Sequence, residues 1–90
     1  MGRNKVRFKP DENTMAFIAY DTDGEEHSII ALVDNESFEG AGLVINQDFP
    51  LEVGDNCILK VGDLASMRAE LRWKKQLEGK IYRLGFHYLE

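Results

Sequence analysis

Between residues 66 and 75, apolar and polar side chains alternate: Met67, Ala69, Leu71 and Trp73 interleave with Arg68, Glu70, Arg72 and Lys74. A period of two places the four apolar residues on one face of an extended strand, which is predicted to be buried, whereas helical spacing would scatter them around the circumference. Shorter runs rich in β-branched and aromatic residues predict further strands at residues 14–20, 26–33, 42–45 and 56–61. A last strand is predicted at 80–89, after a turn over 76–79. Asp21-Thr22-Asp23-Gly24 separates the first two strands, with Gly24 available for a positive φ. Pro50, Gly54 and Asp55 punctuate a loop before the fourth strand. Gly85, inside the last strand, predicts a bulge or a close backbone approach. Helix is confined to short turns at 63–66 or 49–53. Six strands in so short a chain are expected to close on themselves, because open edges invite aggregation. The expected fold is all-β: a small, six-stranded, mostly antiparallel β-barrel.

Composition narrows the setting. Ninety residues suffice for one small domain, and 43% hydrophobic with 30% charged residues is ordinary globular material. A lone Cys57 cannot form an internal disulfide. No apolar run approaches the length of a membrane-spanning helix, and the basic N-terminus has no apolar core behind it to make a signal peptide. The expectation is a cytoplasmic protein without membrane insertion.

The net charge of −5 conceals an asymmetry. Arg3, Lys5, Arg7 and Lys9 give the first nine residues +4, which leaves the rest of the chain at −9. Residues 1–10 are expected to be a basic, flexible arm and residues 11–90 the barrel. An acidic body repels a nucleic-acid polymer, which needs many cationic contacts along its backbone. A small anion held by two or three arginines at one spot is compatible with it.

The chemistry of an enzyme is missing. His27 and His87 lie far apart in strand-like surroundings and, with one cysteine, show no metal-ligand spacing. There is no Walker-type glycine loop and no dinucleotide fingerprint. Ser37 has no neighbouring histidine to activate it, and Gly-x-Ser-x-Gly is missing. Neither a catalytic residue nor a cofactor is expected.

Two local patterns carry complementary chemistry. Arg3-Asn4-Lys5-Val6-Arg7 sets two arginines four apart, and Asn35-Glu36-Ser37-Phe38-Glu39-Gly40 lies where the second strand gives way to the third. Guanidinium forks match phosphate oxygens and the acceptor pair on a guanine edge. Asn35 can donate and accept, and Ser37 adds a hydroxyl on the same side of an extended chain. Gly40 removes a side chain where a ligand would approach the backbone.

Arg-xxx-Arg followed by (Asp/Asn)-x-Ser-x-x-Gly resembles the paired signature of the PilZ domain, the bacterial receptor module for cyclic di-GMP. Arg3 and Arg7 match its first element; Asn35, Ser37 and Gly40 match its second. The stretches GAGLVI, LEVGDNCILKV and AELRWKKQLEGKIYRLGFHYL are similar to the family's later strands and closing hairpin, so the likeness covers nearly the whole chain. Glu36 and Glu39 depart from the apolar or small residues usual at those places; Glu36 faces away from Asn35 and Ser37 if the strand stays extended.

The resemblance implies a six-stranded barrel and a ligand, cyclic di-GMP, held by Arg3, Arg7, Asn35, Ser37 and Gly40. It further implies a change of arm conformation that passes the signal to a downstream protein partner. Some members of the family serve in pilus assembly without binding the nucleotide, so the alternative is an interaction module for a motility or secretion partner. A barrel for single-stranded nucleic acid would need a basic groove with stacking aromatics, against which the −9 body argues.

Overall fold

A computed structural model describes residues 14–89. Six strands follow one another: β1 (Met15–Thr22), β2 (Glu25–Glu36), β3 (Gly40–Asn46), β4 (Asn56–Val61), β5 (Met67–Glu78) and β6 (Ile81–Tyr88). All pairings are antiparallel, in the order β1-β2-β3-β6-β5-β4, and β4 pairs back onto β1 to close the barrel. The expected all-β barrel is the observed one. The short helical turns expected at 49–53 and 63–66 are not helices; both stretches are loop and turn.

The first hairpin follows from local chemistry. Asp23 and Gly24 both take positive φ, 52° and 82°, which matches the twist of a two-residue connection. Strand alternation then fills the interior: Ile18, Leu43, Leu59, Leu71 and Leu84 are wholly buried. Phe49, from the loop between β3 and β4, enters the core edge-on to Tyr20 and Phe86.

Three bulges interrupt the pairing among the described residues, the last at Leu77 near the β5–β6 turn, and the first two matter for the outer surface. Asp34 is an extra residue on β2 between the pairs Val33–Leu43 and Asn35–Gly42. Arg72 is an extra residue on β5 between the pairs Leu71–Phe86 and Trp73–Gly85. An inserted residue inverts which side chains face inward beyond it. Trp73, expected on the buried face with Met67, Ala69 and Leu71, is therefore turned outward and 44% exposed. Lys74 takes the inward direction instead. Its Nζ donates to the Phe49 and Leu51 carbonyls (2.8 and 3.1 Å), tying the long loop to β5.

Candidate functional site

Outside the barrel, one row of residues crosses four strands in register: Asn35 on β2, Gly42 on β3, Gly85 on β6 and Trp73 on β5. At about 4.8 Å per strand the row spans roughly 14 Å. Its two central members have no side chain, so the row is a shallow trough with an amide at one end and an indole at the other. The side chains at the two ends lean over these glycines. A Cβ on Gly42 would lie 3.1 Å from the Asn35 Nδ2, and one on Gly85 would fall 2.1 Å from the Trp73 ring. The close approach expected at Gly85 is thus an indole lying on the strand.

The next outward row adds Gly40 and His87, which pair with each other, and Glu70 opposite His87. Together the rows and the turn between β2 and β3 line a cavity of about 280 Å³. Asn35, Ser37 and Gly40, all singled out in the sequence, border it; so do Arg72, Trp73 and His87. Gly40 has a reason of its own to be glycine. A Cβ there would fall 1.9 Å from the Phe86 carbonyl oxygen, so the packing of β3 on β6 requires it. Arg3 and Arg7 lie outside the described residues.

Ser37 is held by a tight turn: its N–H donates to the Gly40 carbonyl (2.9 Å), and its Oγ accepts from the Glu39 N–H (3.2 Å). The hydroxyl proton remains available to an acceptor in the cavity. Glu36 has turned the other way. It is 8% exposed, and its Oε2 accepts from the Tyr88 hydroxyl at 2.8 Å inside the barrel. Burial, with the Glu36 carboxylate beside it, pushes the Tyr88 phenol well above its ordinary range. One of the two acids within the motif is thereby removed from the cavity, while Glu39 borders it.

The two guanidinium groups beside the trough are already engaged. Arg72 Nε lies 3.5 Å from Glu70 Oε1, and Arg83 pairs with Asp34 while its guanidinium lies 5.9 Å from the centre of the Trp73 ring. Asn35 Nδ2 also donates to Asp34 (3.2 Å). A dianion in this cavity would need positive charge from elsewhere in the chain. The nearest source by connectivity is the N-terminal segment, which joins the barrel where the Thr14 carbonyl accepts from the Val33 N–H (3.1 Å), two residues before Asn35.

Trp73, Gly42 and His87 were not singled out as site residues. The signal for the first two was present in part: a glycine on a strand marks a close approach, and its partner is the large side chain on the adjacent strand. His87 had none, because a solitary histidine in a strand reads as surface. Among the described residues no group of three or more histidines, cysteines and carboxylates could hold a metal ion, and no helix is long and apolar enough to cross a membrane.

A closed six-stranded antiparallel barrel with this trough on its outer face has the PilZ fold. Among solved structures, the chain is similar to one described as the PilZ domain with c-di-GMP of YcgR from Escherichia coli. The TM-score is 0.70 with 19% sequence identity, covering 100% of this chain and 79% of that one. No protein-family model matches the sequence, and no curated protein does.

Proposed function

We propose that the chain is a receptor module for cyclic di-GMP, whose binding rearranges the basic N-terminal segment and so alters contact with a protein partner. The observation that carries this reading is the Asn35–Gly42–Gly85–Trp73 row. An exposed indole lying over Gly85 and an amide beside Gly42 offer a planar purine a stacking face and hydrogen-bonding groups for its edge. At about 280 Å³ the cavity takes one base and its phosphate more readily than a whole dinucleotide, and the remainder would lie under the N-terminal segment. In this mechanism Trp73 stacks on guanine, Asn35 reads its edge and the Ser37 hydroxyl donates to a phosphate or carbonyl oxygen. Arg3 and Arg7 supply the charge that Arg72 and Arg83, already paired with carboxylates, do not. The likeness to a structure solved with c-di-GMP supports the choice of ligand.

The test is a nuclear magnetic resonance titration of the full chain with cyclic di-GMP. The Asn35 side-chain amide, the Ser37 and His87 amides and the Trp73 indole N–H are expected to shift together, while Ile58 and Lys60 on β4 stay still. A footprint that misses Asn35 and Trp73 contradicts the site. Ser37→Ala is expected to weaken binding roughly ten- to a hundredfold, the range of a hydrogen bond to a charged acceptor.

A further inference from the structure

The β1–β2 hairpin presents an unusual outer face. Met15 pairs with Leu32 and Phe17 with Ile30 across the two strands, and all four side chains are exposed; Ile30 is 52% accessible. Leu32 continues sideways to Val44 on β3, and there Met15, Ile30, Leu32, Val44 and Ile81 line a groove of about 290 Å³. Contiguous apolar side chains on this scale mark an interaction surface. Further along the same hairpin, its turn carries Asp21, Asp23, Glu25 and Glu26, all exposed and none ion-paired among the described residues. An apolar strip thus ends in four free carboxylates, on the far side of Leu32 from the Asn35 trough.

We propose that this face docks an amphipathic helix of a partner protein, apolar along one side and cationic at one end. Closure of the barrel leaves no free strand edge among the described residues, so a partner cannot be received by strand addition. A sheet face that buries side chains does so against a helix or another sheet. From Leu32 to Glu26 the strip runs about 20 Å, the length of a helix of about thirteen residues. The acidic turn sets the sign of the partner. The same acidic turn on a second copy of this chain would bring like charge to it. The inference does not depend on nucleotide binding.

The probe is a fluorescein-labelled synthetic helix of about thirteen residues, with leucines along one face and three arginines in its last turn. It is titrated with the full chain and read by anisotropy. Saturable binding is expected, weakened at least tenfold by Ile30→Ser and at least tenfold by Asp23→Lys combined with Glu25→Lys. All these positions are exposed, and circular dichroism checks that each variant is folded. The proposal is overturned by equal affinity across the variants, or by equal affinity for a probe with glutamates in place of its arginines. A dimer in sedimentation that Ile30→Ser abolishes assigns the face to a second copy and overturns it. Probe binding that appears only in Phe8→Ser assigns the groove to the chain's own N-terminal segment, with the same consequence.

Discussion

Glu36 is the one carboxylate among the described residues that the barrel buries, and it stands between two residues of the candidate site. Its bond to Tyr88 fixes the strand so that Asn35 and Ser37 both face out. Tyr88→Phe removes the donor and strands a buried acid. It is expected to cost about 1–3 kcal/mol in urea unfolding, whereas Glu36→Leu combined with Tyr88→Phe should recover most of that, because both polar groups are then gone. A cost in the double variant equal to the sum of the singles contradicts this account. That Glu36 faces opposite to Asn35 was legible from extended-chain alternation; that it faces inward, which the Asp34 bulge decides, was not, and nor was its partner 52 residues away, since only the closed barrel brings β6 alongside. Cys57 gives a pH prediction. Burial pushes its thiol from 9.0 up to about 12, so the folded state keeps a proton that the unfolded state releases. The stabilisation is complete below pH 9 and is lost as pH rises towards 12, by about 1.4 kcal/mol per unit. Tyr88, shifted the same way, adds to the loss. Urea midpoints between pH 8 and 11 should fall for the wild type and fall less steeply for Cys57→Ala.

The strands themselves were written in the period-two alternation, and so was the first turn, where Asp-Gly can adopt positive φ. The bulges at Asp34 and Arg72 were not. An extra residue carries no compositional mark, and whether alternation slips is decided by the partner strand. This is why Trp73 read as core although it lies on the outside, and why the β5–β6 half of the trough was visible only as the isolated oddity of Gly85. The two site glycines answer to different obstacles. At Gly40 a methyl group would meet the backbone carbonyl of Phe86, which cannot yield without moving β6. At Gly85 it would meet the Trp73 side chain, which can swing into solvent. Gly40→Ala is therefore expected to destabilise by about 1–3 kcal/mol, and Gly85→Ala by less. Gly85→Ala should instead red-shift the Trp73 emission as the indole leaves the strand. An unchanged spectrum contradicts the stacked position.

Across the whole molecule, charge is segregated: +4 in nine residues against −9 in the remainder. The strands provide a neutral trough whose own guanidinium groups are neutralised by Glu70 and Asp34, so the anion-binding capacity proposed for the chain resides in Arg3 and Arg7. The motif residues Asn35, Ser37 and Gly40 announced themselves because turn chemistry and ligand chemistry favour the same residue types. The second half of the trough did not, because it is assembled from β5 and β6, the last elements of the chain. With so few cations engaged, affinity for the nucleotide should fall only modestly between 50 and 300 mM salt, unlike the steep loss of a polymer-binding surface. The central claim is tested most directly by isothermal calorimetry of cyclic di-GMP into the full chain and into Arg7→Ala. Saturable binding by the wild type, reduced at least tenfold in a variant with an unchanged urea midpoint, is the predicted result; equal affinity in the two, or no heat from the wild type, contradicts it.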